Sequence, residues 1–189
     1  EPTSPHRGWA DDLLIPSDNA FVPGGWIART NETGETWELF AGGFRNPFDI
    51  AFNPEGELFT FDADSETDIG VPWYRPTRIN HVVSAGEYGW RYDMGPWRPY
   101  GKWPEHYPDS VGSVVDVGFG SPAGLVFGTG ARFPARYQRA LFACDWASGK
   151  IYAVHLRPQG ASYKATFEPF LTGSALPLTD VVIHHDGAL

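Results

Sequence analysis

Arg45 and Asn46 stand side by side just ahead of an alternating apolar run, Asp49-Ile50-Ala51-Phe52. A guanidinium offers a planar fork of donors and a primary amide adds a donor and an acceptor, so the pair could hold an anion or a planar polar ligand. An arginine bonding nearby loop carbonyls is the equally simple structural reading. Further on, Asp62, Asp64, Glu66 and Asp68 recur at every second position. On a strand they would share one face and repel; in a loop they could wrap a hard cation such as Ca²⁺. This is not an EF-hand loop, because Thr67 stands where that loop needs glycine and Trp73 where it needs the closing glutamate. Asp62 and Asp64 are the expected metal ligands, with a solvated acidic rim as the alternative. His81, His106, His155, His184 and His185 show no metal-ligand spacing. His155 alternates with Val154 and Leu156 and is expected to face outward. Gly-x-Ser-x-Gly is absent from the sequence, so no nucleophile elbow is visible. The Trp and Tyr residues between positions 73 and 107 could stack on a sugar ring or fill gaps between packed sheets.

The elements that must position these groups are short. Asp49–Phe52 and Leu58–Phe61 read as two strands joined by Asn53-Pro54-Glu55-Gly56, a hairpin with the Arg-Asn pair before it and the carboxylates after it. Function is expected in those flanking loops. Phe21–Thr30 reads as a turn entering a strand, Asn31–Gly34 as a turn, and Thr36–Phe40 as the returning strand. Ile79–Val83, Leu125–Phe127, Ala140–Cys144 and Lys150–Leu156 are further strands, with Ser148-Gly149 turning between the last two. Phe133–Arg139 could form one helical turn. Residues 1–20 form an irregular lead-in or insertion, and 91–110 an aromatic, proline-rich loop containing Trp97, Tyr100, Trp103 and Tyr107.

Composition agrees: 22 Gly, 17 Pro, 8 Trp and 13 Phe in 189 residues favour many short strands and turns. The net charge of −9 argues against nucleic acid as a partner. Residues 1–68 hold 14 acidic residues against Arg7, Arg29 and Arg45, and seven carboxylates between Asp49 and Asp68 face no basic residue within that stretch. With one cysteine, Cys144, there is no intrachain disulfide and no cysteine-based zinc site. No apolar window is long enough for a membrane helix.

Repetition points to the architecture. Asp49-Ile-Ala-Phe-Asn-Pro-Glu-Gly-Glu-Leu58 aligns without a gap on Asp180-Val-Val-Ile-His-His-Asp-Gly-Ala-Leu189, and Gly124–Phe127 begins a degenerate copy between them. Units of roughly 50 to 75 residues, each built of short antiparallel strands, predict an all-β fold of the β-propeller kind, with a hairpin-rich sandwich as the alternative. The expectation is a partial propeller of about three blades over residues 21–189, cut off within a hairpin at the C-terminal end.

Gly43-Phe44-Arg45-Asn46-Pro47, Pro54–Phe59, Ile79-Asn80-His81-Val82, Gly86-Glu87-Tyr88-Gly89-Trp90, Ser121–Leu125 and Gly149–Tyr152 together resemble the soluble quinoprotein glucose/sorbosone dehydrogenase family. The Asp62–Arg78 segment and Cys144-Asp145-Trp146 resemble more closely the propeller region of planctomycete-type multidomain proteins that carry a cytochrome c-like domain. The resemblance implies a six-bladed propeller that holds pyrroloquinoline quinone and Ca²⁺, oxidises a sugar or polyol and passes electrons to a haem or other acceptor, in the periplasm or another extracytoplasmic space. It gives Arg45 and Asn46 the quinone contact, makes Arg45 the group that stabilises developing negative charge, and sets Asp62-Ala63-Asp64 where the family has its calcium element. It departs where Ala147 replaces a quinone-binding Lys, where Pro177-Leu178-Thr179 replaces an Arg-x-Arg run, and in the catalytic His, which the family draws from an earlier blade. A propeller that binds carbohydrate or docks an electron-transfer domain without catalysis is the rival reading.

Overall fold

Short apolar runs broken by glycine-bearing turns produce thirteen strands among the described residues. They are β1 (Val22–Pro23), β2 (Gly25–Thr30), β3 (Trp37–Phe44), β4 (Ile50–Phe52), β5 (Leu58–Asp62), β6 (Thr77–Val82), β7 (Gly86–Glu87), β8 (Arg91–Tyr92), β9 (Val115–Gly118), β10 (Pro122–Phe127), β11 (Leu141–Asp145), β12 (Lys150–Gln159) and β13 (Ser162–Thr172). The structure, a computed structural model, describes residues 22–23, 25–64, 70, 74–92 and 110–189. The expected lead-in, Glu66, Asp68 and the aromatic loop residues Trp97, Tyr100, Trp103 and Tyr107 lie outside the described residues. The single helical turn expected near Phe133 is a 3-10 turn over Ala135–Tyr137.

The chain divides into two compact units, residues 1–46 with 83–112, and residues 47–82 with 113–189. In the first, β2 and β3 pair antiparallel across the Asn31–Gly34 turn. The Asn31 carboxamide oxygen caps that turn, accepting from the backbone N–H of Glu35 (2.9 Å) and Thr36 (3.1 Å). Sequence alone ends the returning strand at Phe40, whereas β3 continues to Phe44. A parallel partner explains the extension, because β7 pairs Gly86 with Ala41 and Glu87 with Gly42.

The second unit holds two four-stranded sheets, β4-β5-β6-β9 and β10-β11-β12-β13, antiparallel throughout. Period-2 alternation sends Ala51, Phe59, Phe61 and Ile79 of the first sheet against Leu125, Phe127, Leu141, Ala143, Tyr152 and Val154 of the second. Phe59, Phe61 and Leu141 are fully buried, and each such side chain contributes about 1.5–3 kcal/mol. The opposite face of the second sheet packs Ala123, Tyr137, Phe142, Cys144, Ile151 and Ala153 under Leu178, Val181 and Leu189.

The ten-residue repeat recurs in the backbone bonds of its turn. Gly56 N donates to Asn53 O (2.9 Å) and Asn53 N to Glu57 O (2.9 Å); in the copy, Gly187 N donates to His184 O and His184 N to Ala188 O, both at 2.8 Å. Gly56 and Gly187 share the left-handed conformation, with φ of +86° and +85°. The leading aspartates bond the next residue alike, Asp49 Oδ1 accepting from Ile50 N and Asp180 Oδ1 from Val181 N, each at 2.7 Å, although only the first copy goes on as a strand. The other carboxylate oxygen of Asp49 reaches the neighbouring sheet and accepts from Leu125 N (2.8 Å). Between sheet and copy the join is tighter, since a Cβ on Gly124 would lie 2.4 Å from Asp180 Oδ1. Antiparallel four-stranded sheets packed face to face, with the same Asp-led segment recurring against the next sheet, are β-propeller blades, as the repeat predicted.

Candidate functional site

Arg45 and Asn46 follow the end of β3 in the first unit. Parallel pairing of β3 with β7 lays the Gly86–Trp90 segment along Gly42–Phe44, with Tyr88 N donating to Gly42 O (2.9 Å) and Trp90 N to Gly43 O (2.7 Å). Phe44 stacks on Tyr88 with ring centroids 4.3 Å apart, and both rings are fully buried. The approach demands glycine at position 43. Its φ is +79°, and a Cβ there would sit 1.8 Å from Glu87 Oε1 and 2.8 Å from Tyr88 N. Glu87 Oε1 accepts from Gly89 N (2.8 Å) and so turns the chain that delivers Trp90. The result is a half-buried Arg45 whose guanidinium carbon lies 5.6 Å from the centroid of the Trp90 ring, within cation–π range, next to an exposed Asn46. Gly-Gly-Phe-Arg-Asn and Gly-Glu-Tyr-Gly-Trp, far apart in sequence, are thus one structural piece.

Asp62 and Asp64 fall in the second unit and are not surface loop carboxylates. Asp62 is the last residue of β5 and fully buried; its Oδ2 accepts from Arg78 Nη2 (3.0 Å), directly across the β5–β6 ladder, and its Oδ1 from Ala63 N (3.0 Å). Asp64, 1% exposed, accepts from the Tyr74 hydroxyl at 2.7 Å. Both oxygens of Asp62 therefore serve protein donors, one of them the cation Arg78, which disfavours a second cation beside it. Among the described residues no three His, Cys, Asp or Glu side chains converge as a metal site. Three of the carboxylates that face no cation in sequence meet partners brought from elsewhere in the chain: Arg78 for Asp62, Arg139 for Glu55 and His81 for Glu57.

His81 belongs to a second polar cluster that sequence spacing gave no means of finding. It is 4% exposed, with Nε2 3.0 Å from Glu57 Oε2 and Nδ1 3.1 Å from Ser162 Oγ, and it lies against Phe59 and Tyr163. Asn53 Nδ2 donates to the Tyr163 hydroxyl (3.3 Å). The Asn53–Glu57 turn and β6 of one sheet thereby grip the start of β13 in the next. His155, expected to face outward, is half-buried with Nε2 3.3 Å from Glu168 Oε1. An open groove of about 420 Å³ between β4 and β10 carries no titratable side chain in its lining.

Asp145 sets the loop in which Ala147 lies. Its buried carboxylate accepts from Ser121 N (2.8 Å), Ala147 N (3.1 Å) and the Ser148 hydroxyl (2.5 Å), and Trp146 N donates to Ser121 O (2.9 Å). The loops joined there expose Phe119 at 71% and Trp146 at 53%. Ala147, Pro177 and Thr179 are exposed and bring no charge.

No protein-family model and no curated protein matches this chain. Solved structures do. The soluble aldose sugar dehydrogenase of Escherichia coli, in its apo form, superposes with a TM-score of 0.61 at 22% identity over 92% of this chain and 46% of its own. The PQQ-bound aldose sugar dehydrogenase of Streptomyces coelicolor gives 0.58 at 17% identity over 83% and 42%. An oxidoreductase of Thermus thermophilus described as a glucose dehydrogenase gives 0.59 at 22% over 79% and 40%. This chain spans less than half the length of each, and over that span it has the fold of the propeller sugar dehydrogenases.

Proposed function

We propose that this chain is part of a sugar or polyol dehydrogenase-like propeller in which Arg45 and Asn46 face a quinone cofactor. The observation that carries the reading is the guanidinium of Arg45 set over Trp90 beside an exposed amide, built by the two segments through which the chain resembles the quinoprotein family. The structural neighbours, aldose sugar dehydrogenases of which one is in a PQQ-bound form, support the same reading. A planar cation and an adjacent amide suit the oxyanions and carbonyls of such a ligand. Pyrroloquinoline quinone, when bound, would supply the two-electron acceptor. The chain's own part is binding and electrostatics. Arg45 donates charge-assisted hydrogen bonds, each about 1.5–3 kcal/mol, to oxygens that gain negative charge, and Asn46 fixes the ligand's orientation in its plane. Asp62, already paired with Arg78, is given no calcium role here.

Electrons would pass to a haem-bearing domain of the cytochrome c kind or another acceptor, in an extracytoplasmic compartment, as in the proteins that the sequence resembles. Among the described residues no helix is long and apolar enough to cross a membrane. A second reading, carbohydrate binding without catalysis, draws support from the exposed Phe119 and Trp146 and from the uncharged Ala147, Pro177 and Thr179.

Titration of the protein with pyrroloquinoline quinone, followed by tryptophan fluorescence, tests the first reading. Saturable binding that Arg45→Ala weakens at least tenfold supports it, with sugar oxidation against a dye acceptor as the next assay. Absence of quinone binding together with saturable sugar binding, lost in Trp146→Ala, would establish the second.

A further inference from the structure

We propose that Trp90 is the positioning residue of Arg45, an aromatic rest that holds the guanidinium in the orientation from which it meets an oxyanionic, planar ligand. The inference rests on the reading of Arg45 as a ligand-binding group and adds the device that aims it.

Trp90 reaches the arginine by construction. Its N–H is bonded to Gly43 O at 2.7 Å, two residues before Arg45, so ring and guanidinium spring from neighbouring points on paired backbone. Gly89 adopts φ of +82° and donates to the Glu87 carboxylate, which turns the chain so that the indole ends under the charge. Glu87 itself is packed against the Cα of Gly43. Each component of the Arg45–Trp90 contact is thus tied to the same short stretch of β3. An arginine side chain has four torsions to order, and a guanidinium already seated on a ring meets its ligand with part of that entropy spent. A cation over an aromatic face is held through its charge, not through its N–H groups, so this support does not compete with hydrogen bonding to a ligand.

The test uses Trp90→Leu, Trp90→Phe and Arg45→Ala in the protein that contains this chain. The first readout needs no ligand: the Arg45 Nε–Hε resonance in a nitrogen–proton correlation spectrum. Ring current should displace it upfield in the wild type, less in Trp90→Phe, and not at all in Trp90→Leu. The second is the dissociation constant for pyrroloquinoline quinone as the probe. Trp90→Leu should weaken it about three- to thirtyfold, the range of a partly desolvated cation–π contact, with partial rescue by Trp90→Phe and no further loss when added to Arg45→Ala. An Arg45 resonance unmoved by either Trp90 variant overturns the proposal. So does a Trp90→Leu loss that persists in full on the Arg45→Ala background. If Trp90→Leu does not fold, Trp90→Phe decides through the same resonance. A wild type that binds no quinone but shows the displaced resonance refutes the cofactor and leaves the positioning intact, so the two failures are distinct.

Discussion

Replacing Arg78 by Met should damage this protein more than an ordinary surface arginine would. The guanidinium sits opposite Asp62 on the β5–β6 ladder, with side chains 12% and 0% exposed and Nη2 3.0 Å from Oδ2. The pair is worth modest net energy as a pair, because two charges were taken out of water to make it. Removing one partner leaves the other's charge buried without its counter-ion, a loss of about 3–5 kcal/mol, far above the 0–1 kcal/mol of exposed ion pairs. Urea unfolding followed by tryptophan fluorescence should show that loss as a lower midpoint at unchanged slope. Asp62→Asn alone should cost less, and Arg78→Met with Asp62→Asn should recover a large part of the single-mutant loss, since the stranded charge is gone. The same pair bears on calcium binding at Asp62. With both Asp62 oxygens engaged, millimolar Ca²⁺ should not raise the wild-type melting temperature through Asp62. A Ca²⁺-dependent rise that Asp62→Asn abolishes would refute this reasoning, as would an Arg78→Met loss below about 1 kcal/mol.

Gly43→Ala combines a left-handed backbone with a Cβ 1.8 Å from Glu87 Oε1; it should cost clearly more than the roughly 1–2 kcal/mol expected of Gly56→Ala, which has φ of +86° in open space, and it should also weaken any ligand that needs Arg45, measurable by unfolding and titration together. Asp49→Ala removes acceptors for Ile50 N and Leu125 N and should destabilise by about 2 kcal/mol, with Asp49→Asn losing roughly half as much because one acceptor oxygen remains. Cys144 has its thiol pushed up to about 11, chiefly by burial and then by the charges of Asp180 and Asp49. It should resist iodoacetamide at pH 8 until the protein unfolds. Because the folded state holds this proton more tightly than the unfolded chain does, its contribution to stability is present below the ordinary thiol value of 9.0 and is lost as pH rises from there to about 11. Ser162→Ala should cost about 1 kcal/mol by removing the hydroxyl that meets His81 Nδ1, whereas His81→Ala, which also empties the space between Phe59 and Tyr163, should cost several times as much in the same unfolding assay.

The hairpin of β4 and β5, the 131-residue repeat and the all-β class were legible in the sequence because each rests on local rules. Side chains alternate across a strand with period 2, a left-handed turn takes glycine at positions 56 and 187, and the same ten-residue pattern makes the same backbone turn twice. Arg45 and Asn46 were legible as candidates by residue type and by resemblance. The bounds of β9 and β13 are not legible along the chain, and β3 and β12 run longer than their apolar stretches, because strand ends are set by whether a neighbour pairs with them.

Sequence by itself determined the class of fold, the Asp-led repeat, and an arginine and an asparagine just ahead of the hairpin of β4 and β5. Tertiary structure decided what each charge does. Along the chain Asp62 is one of seven carboxylates facing no cation, and in the fold it meets Arg78, which antiparallel pairing places directly across from it. Glu57, His81 and Ser162 lie 24 and 81 residues apart and become one network where two sheets stack. Trp90 comes under Arg45 because β7 runs parallel to β3. Local propensity acts over a few residues, whereas the partner of a charge depends on which strands the packed sheets bring together, and that is fixed when the blades close on their common core.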